Sequence, residues 1–172
     1  MRIWARQSID VPWISGYSES MPETYTIRSA RAGDEATITA LIRSEHLDPL
    51  NVHWQNFVVA EDAEAGRIIG IGQIKPYRSG RELGSLAVIP DRRQNGVGGA
   101  IIRTLIEREQ GPLLLFCLSF REPYYAKFGF RRCGIRDLPG WFKVKYAVGT
   151  LVSRLIGRRL IVMQRPSGLP AA

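Results

Sequence analysis

The sequence predicts one mixed α/β domain, a central twisted sheet flanked by helices. Two observations support this fold class. Segments with the alternation or the continuous apolar character of strands are interspersed with longer segments whose apolar residues recur at helical spacing. The 172 residues, 45% of them hydrophobic and 23% charged, are enough to bury one core, and no internal repeat indicates a second domain.

The individual elements follow from local patterns. Turn signals in DAEAG and RSG separate three consecutive strand-like segments, which predicts an antiparallel meander. Strands are predicted at 25–30, 57–62, 66–77, 81–90, 112–118, 129–134 and 158–165, and helices from 34, over about 96–109, near 122–128 and over 140–157. We expect residues 1–22 to be a loosely ordered extension, 23–166 to be the domain and 167–172 to be a tail.

Composition limits the classes of function. The formal net charge of +8 favours anionic partners such as phosphates, but the basic residues are spread along the chain, and nucleic acid binding is not expected. No apolar run is long enough to cross a bilayer. Cys117 and Cys133 form neither a disulfide framework nor a metal-ligand pattern, so we expect two core residues in a cytoplasmic protein.

Residues 92–100, RRQNGVGGA, join a predicted strand to a predicted helix. The first backbone N–H groups of a helix are unpaired, and the helix dipole adds partial positive charge there. Glycines let this backbone approach a bulky anion, which predicts a pyrophosphate site. A P-loop would need Gly-Lys-Ser/Thr, and a dinucleotide fingerprint would need a glycine where Ile101 stands. Neither of those two phosphate motifs fits.

The loop does resemble a third phosphate motif. Arg93-x-x-Gly96-x-Gly98 is similar to the Arg/Gln-x-x-Gly-x-Gly/Ala pattern of the GNAT superfamily of acetyl-CoA-dependent N-acetyltransferases. ELGSLAVIP before it resembles the fourth strand of that family, and YYAKFGF (124–130) resembles its Phe/Tyr-Tyr-x-Lys-x-Gly-Phe signature. Order and spacing agree over roughly residues 25–165. The resemblance implies that the fourth and fifth strands splay apart and admit acetyl-CoA between them.

The resemblance also implies which residues bind acetyl-CoA as co-substrate. Backbone groups of the fourth strand pair with the pantetheine arm, and the Leu86 N–H polarises the thioester carbonyl. The loop amides hold the pyrophosphate, with Arg93 as a clamp, and Ser119 stands where many relatives carry an asparagine. The implied cofactor-binding residues are Leu86, Ala87, Val88, Arg93, Gln94, Asn95, Gly96, Val97, Gly98, Gly99, Ser119 and Tyr125, and no metal is expected.

The resemblance implies direct attack of a primary amine on the thioester in a ternary complex, which needs an acid for the departing thiolate. Tyr125 occupies the position of the family's usual general acid, and a phenol is protonated at pH 7. The alternative is that Tyr125 is a core aromatic, which is the role expected of Tyr124.

Glu82 is the candidate base. It stands where several relatives carry a glutamate that acts directly or through water, whereas other relatives work without a dedicated base. The alternative is an exposed glutamate paired with Arg81. Strand alternation predicts that Glu82, Gly84 and Leu86 face the same cleft.

The acceptor is implied only as a class, a small-molecule or peptide amine bound by loops expected at 45–54 and 136–155. The short turn after the fifth strand and DLPGW after the sixth resemble the amino-acid N-acetyltransferase branch related to N-acetylglutamate synthase. His46 and His53 are expected to be solvated loop residues, since no other metal ligands cluster near them. A homodimer is also consistent with the resemblance, because dimers are common among relatives.

A different class of function is also open. The segment 141–156 has apolar residues at 141, 144, 148, 151, 152 and 155, with basic residues at Lys143, Lys145, Arg154, Arg158 and Arg159. A basic amphipathic helix can lie on an anionic membrane or dock to a partner, which would make the protein a non-catalytic module on an acyl-CoA fold. Alternatively, this apolar face covers the sheet or lines the acceptor pocket.

Overall fold

The computed structural model describes residues 25–109, 111–155 and 157–168. The predicted extension 1–22 and residues 169–172 of the predicted tail lie outside this range. Within it, the strands are β1 (Tyr25–Ser29), β2 (Phe57–Asp62), β3 (Ile68–Tyr77), β4 (Gly80–Val88), β5 (Leu113–Leu118), β6 (Arg131–Arg132) and β7 (Leu160–Arg165). The helices are α1 (Glu35–Ser44), α2 (Val97–Arg108), α3 (Glu122–Ala126) and α4 (Gly140–Leu155). None of the helices in the described ranges is long and apolar enough to cross a membrane.

The strands form one sheet in the order β1-β2-β3-β4-β5-β7-β6. Five neighbouring pairs are antiparallel and the pair of β4 with β5 is parallel, so the predicted mixed α/β sheet is confirmed. The predicted meander corresponds to β2, β3 and β4. β4 ends two residues before Pro90, which begins a short 3-10 turn leading into the glycine loop.

β4 and β5 are paired only where they begin. The paired residues are Arg81 with Leu113 and Glu82 with Leu114. From Leu83 onward, the edge of β4 that faces β5 has no strand partner in the part of the chain that the structure describes. An open strand edge presents unpaired N–H and C=O groups to any extended ligand. The predicted splay between the fourth and fifth strands is therefore confirmed.

The helices cover the sheet on two faces. On one face, α2 and the tyrosines of α3 pack against apolar residues of the central strands; we call this the α2 face. On the other face, α1 packs against Ile71 and Ala87, and Phe142 of α4 packs against Leu114 and Val162. We call this second face the α1/α4 face. Side chains from both faces of the sheet therefore border the splay.

A β-bulge interrupts β4 beside the splay. Ile71 of β3 pairs with Ala87 and Gln73 pairs with Gly84, so Gly72 alone stands opposite Ser85 and Leu86. Ser85 has a positive φ of 50°. A bulge shifts the alternation of side chains by one residue. Consequently Leu86 packs into the α2 face, and the prediction that it shares a face with Glu82 is wrong.

Candidate active site

The glycine loop joins β4 to α2 as predicted. Its backbone takes a left-handed conformation at Gln94 (φ 68°) and at Gly96 (φ 78°), the residue before the first turn of α2. Residues 93–96 are exposed, so the loop and the helix start are accessible from solvent. The helix start adds unpaired N–H groups and partial positive charge. This is an arrangement that suits a phosphate.

Gly98 is in close contact with α3. A Cβ atom at Gly98 would lie 2.9 Å from the hydroxyl oxygen of Tyr124 and 3.6 Å from a methyl of Val88. A contact of 2.9 Å is too short for carbon, so any side chain at Gly98 would push Tyr124 away. A side chain at Gly98 would therefore disturb the packing of α3 on α2.

The two arginines at the start of the loop are already paired within the fold. Arg92 forms an ion pair with buried Asp62. Arg93 donates to the Val88 carbonyl at 2.9 Å and to the Glu45 carboxylate at 2.6 Å. The side chain predicted to clamp the pyrophosphate thus ties the end of β4 to the end of α1.

Arg103 is a basic residue at the loop that sequence reasoning missed. It lies in the second turn of α2, and its two terminal nitrogens are 3.7 and 3.8 Å from the position of a Cβ at Gly99. Arg103 is exposed, and no carboxylate among the described residues pairs with it. Its spacing of four residues from Gly99 on one helix could have indicated this position.

Glu82 lies at the last paired position of β4, where the splay begins. Its side chain is on the α1/α4 face and the residue is only 4% exposed. Lys145 of α4 donates to both of its carboxylate oxygens, at 2.8 and 2.7 Å. Arg81 pairs with Glu109 instead. The alternative that Glu82 is an exposed glutamate paired with Arg81 is therefore wrong.

Glu82 belongs to a cluster of four charged residues. Lys145 also donates to Asp48 at 2.7 Å, and the same carboxylate accepts from Lys75 at 3.2 Å. Lys75, which stands opposite Glu82 on β3, donates at 2.6 Å to the Leu50 carbonyl as well. Two carboxylates and two ammonium groups balance in charge. We call these residues, Asp48, Lys75, Glu82 and Lys145, the charge cluster.

Burial and pairing act in opposite directions on the charge cluster. Burial raises the pKa of Glu82 above its ordinary value, and the attraction of Lys145 offsets only part of that rise. Burial likewise lowers the pKa of Lys75. Burial alone would lower the pKa of Lys145, but the Glu82 and Asp48 carboxylates outweigh it and raise that pKa overall. Lys145 therefore stays charged, and the pKa of Glu82 stays above its ordinary value.

A polar pair lies between the charge cluster and the bulge. Gln73, fully buried on β3, donates from its side-chain amide to the Ser85 hydroxyl at 2.9 Å. The other amide atom of Gln73, Oε1, is buried and has no hydrogen-bond partner among the described residues. A buried acceptor without a partner is uncommon and costs free energy unless another group reaches it.

Tyr125 lies on the opposite face of the sheet from Glu82. Its ring packs edge-on against Tyr124 and Phe130, with centroid distances of 5.2 and 6.3 Å. Burial, with a smaller contribution from the Cys117 thiol of β5, raises the pKa of Tyr125 well above its ordinary value. Its phenol is therefore protonated at neutral pH. Both a core role and an acid role are compatible with this position.

The remaining predicted residues contribute less. Ser119 begins the 3-10 turn after β5, and its N–H donates to the Arg159 carbonyl at 2.9 Å. His46 and His53 are exposed. The described ranges contain no group of three or more His, Cys, Asp or Glu side chains placed to hold a metal. Cys117 is buried as predicted, and burial raises its pKa to about 11, whereas Cys133 is half-buried.

Comparison with known proteins agrees with this geometry. Residues 53–132 match the family described as the acetyltransferase (GNAT) domain. No curated protein sequence matches the chain. With the fold, the splay and the glycine loop, this match shows that residues 53–132 belong to a GNAT acetyltransferase domain. The resemblance inferred from the sequence is confirmed.

Solved structures share the fold at low sequence identity. N-acetylglutamate synthase from Neisseria gonorrhoeae, complexed with coenzyme A and N-acetyl-glutamate, is 22% identical with a TM-score of 0.66 over 84% of this chain and 35% of that chain. Rv2747 from Mycobacterium tuberculosis, in complex with CoA and NLQ, is 19% identical with a TM-score of 0.62 over 82% of this chain and 98% of that chain. An acetyltransferase of the GNAT family from Staphylococcus aureus is 15% identical with a TM-score of 0.60 over 83% of this chain and 98% of that chain. The chain thus spans about a third of the N-acetylglutamate synthase chain, and these likenesses concern the fold.

Proposed function

We propose that this protein is an N-acetyltransferase that moves the acetyl group of acetyl-CoA to a primary amine by direct attack in a ternary complex. The observation that carries the proposal is the position of Glu82, a buried and charge-paired carboxylate where β4 and β5 part. Burying a carboxylate is costly even when it is paired, and here Lys145 offsets part of that cost. A base beside the opening would accept the proton that an attacking amine must lose.

The donor fits the splay and the glycine loop. The open edge of β4, at Leu86, Ala87 and Val88, would pair with an extended pantetheine arm like an added strand. The bulge at Ser85 supports the Leu86 N–H as the donor to the thioester oxygen, because it breaks the regular ladder there. Amides of residues 94–99 would hold the pyrophosphate. Since Arg93 is paired with Glu45, Arg103 supplies the free positive charge near that site.

The acid and the base act from opposite faces of the sheet. Glu82 lies on the α1/α4 face, where Lys145 favours its ionised form and opposes the effect of burial. Tyr125 lies on the α2 face near Cys117, beyond the last β4–β5 pair, and would protonate the departing thiolate. The splay would connect the two groups. The acceptor amine therefore enters from the α1/α4 face and the thiolate leaves toward the α2 face.

The acceptor belongs to a primary amine class that the solved relatives illustrate. The Neisseria gonorrhoeae enzyme is complexed with N-acetyl-glutamate, and a NatC complex with a TM-score of 0.61 is bound to a Gag peptide and CoA. Small molecules and peptide N-termini are thus both acceptors to test. The two free cysteines fit the predicted cytoplasmic compartment.

A screen of amines for release of CoA from acetyl-CoA tests the proposed function. The panel contains amino acids, small amines and short peptides, and each product is identified by a mass increase of one acetyl group. We expect at least one amine to be acetylated by the wild-type protein and to be acetylated far more slowly by Glu82→Gln. Binding of acetyl-CoA without acetylation of any class of amine would contradict the proposal.

A further inference from the structure

Six apolar side chains form a stripe on the outside of α4. They are the residues at which the sequence shows helical spacing, Trp141, Val144, Val148, Leu151, Val152 and Leu155. Their exposed fractions run from 49% at Trp141 to 80% at Leu155. The interpretation that this apolar face covers the sheet is therefore wrong. We call these six residues the α4 stripe.

None of the hydrophobic core clusters of the described residues includes the α4 stripe. The opposite side of α4 supplies the contacts to the sheet through Phe142, which is fully buried, and through Tyr146. Lys145 also points inward, to the charge cluster. A stripe of this size exposed to water is costly and is typical of an interaction surface.

Several exposed basic residues lie on α4 and directly after it. Lys143 and Arg154 lie on the same helix and are exposed, and Arg158 and Arg159 follow it. Arg154, Arg158 and Arg159 line a pocket of about 340 Å³, in which the Thr150 hydroxyl has no partner among the described residues. The sequence from Leu138 to Ala172 contains no acidic residue.

We propose that the α4 stripe docks on the surface of a bilayer that contains anionic phospholipids. The apolar side chains would enter the boundary between headgroups and acyl chains, and the arginines would meet lipid phosphates. The 16 residues of α4 are fewer than a bilayer span requires and one side is packed on the sheet, so the helix lies along the surface. A second copy would present the same positive charges to this face, whereas acidic lipid supplies the opposite charge.

Co-sedimentation of the full chain with vesicles tests this docking. One set of vesicles is phosphatidylcholine alone, and the other contains phosphatidylglycerol as well. We expect binding to the anionic vesicles only. The double variant Val148→Ser/Leu151→Ser should bind about tenfold or more weakly, since two exposed apolar side chains are lost without a change of charge. Leu50→Ser/Phe120→Ser removes exposed apolar side chains outside α4 and should bind as the wild type does.

A second pair of variants tests the basic residues. Arg154→Gln/Arg158→Gln should weaken binding to anionic vesicles. The control Arg43→Gln/Arg78→Gln changes the net charge by the same amount away from α4 and should weaken binding much less. Equal binding to both kinds of vesicle would overturn the proposal, as would wild-type binding by Val148→Ser/Leu151→Ser. The proposal would also be overturned if the wild type is a dimer in sedimentation velocity and Val148→Ser/Leu151→Ser is a monomer. The stripe would then be the contact between two copies of the chain.

Discussion

The ammonium nitrogen of Lys145 lies 2.8 and 2.7 Å from the two carboxylate oxygens of Glu82, where β4 and β5 part. The two residues come from the last helix and the middle of the sheet. Their pairing favours the ionised form of a buried glutamate and joins α4 to the open end of the sheet. Lys145 is the largest contribution that favours the ionised form of Glu82, and Lys75 adds a smaller one.

Lys145→Met should move the acid limb of the pH–rate profile to higher pH. A base works in its ionised form, so the rate falls as the pH drops through the pKa of Glu82. Burial already holds the pKa of Glu82 above its ordinary value, and Lys145 opposes that rise. Removing the positive charge raises this pKa further. The measurement is kcat/KM against pH, and Lys145→Arg should keep the limb close to its wild-type position.

Lys143→Met is the matched control for this shift, because Lys143 is exposed on the same helix. Its profile should coincide with that of the wild type. An unmoved acid limb in Lys145→Met, with the fold intact by circular dichroism, would mean that Glu82 does not act as the base.

Gly98→Ala should weaken the binding of acetyl-CoA by displacing Tyr124. The new Cβ atom would lie 2.9 Å from the Tyr124 hydroxyl oxygen. In the double variant Gly98→Ala/Tyr124→Phe that oxygen is absent, so we expect affinity and melting temperature to recover together. The measurement is the shift in melting temperature on adding acetyl-CoA. Recovered stability without recovered affinity would mean that the ligand itself requires the glycine.

The fold was largely predictable because its signals are local. Alternation and helical spacing predicted β2 to its exact bounds and α2 to within about one residue, and the glycine loop lies where the motif predicted it. Leu86 was misplaced because a bulge at Ser85 leaves no mark in strand alternation. Local patterns report a strand but not the register of its partner.

The charge cluster could not be predicted in the same way. Lys145 is 63 residues from Glu82 and 97 from Asp48, and only the tertiary fold brings them together. In the sequence, Lys145 was grouped with the exposed basic residues of its helix. Glu82 was identified through the family resemblance, which gives a position but not a partner. Long-range pairs of this kind have no periodicity to reveal them.

Arg103→Ala should weaken the binding of CoA about tenfold while leaving pantetheine binding unchanged. A charge-assisted hydrogen bond to phosphate is worth roughly 1.5–3 kcal/mol, and pantetheine has no pyrophosphate. Arg93→Ala should instead reduce affinity for both ligands, because Arg93 holds the Val88 carbonyl and Glu45. Isothermal titration calorimetry measures both ligands. A loss confined to CoA in Arg93→Ala would restore Arg93 as the clamp.

Glu45→Gln is the control that separates the two roles of Arg93. It removes the ion pair but leaves the arginine in place. If Arg93 only supports the end of β4, Glu45→Gln should lower the melting temperature without strengthening CoA binding. Tighter CoA binding in Glu45→Gln would show that the released guanidinium reaches the phosphates.

Tyr125→Phe tests the acid directly once an acceptor is known. The change removes one oxygen and almost no volume, and the aromatic contacts with Tyr124 and Phe130 are kept. Folding and acetyl-CoA affinity should hardly change, because the hydroxyl acts mainly as the transition state forms. The turnover number should fall by roughly 10²–10⁴-fold, the usual contribution of a positioned general acid. Tyr124→Phe is the internal control and should be nearly silent. If Tyr124→Phe is slow and Tyr125→Phe is silent, the match to the signature is displaced by one residue. If both variants keep full turnover while chemistry is rate-limiting, another group protonates the departing thiolate.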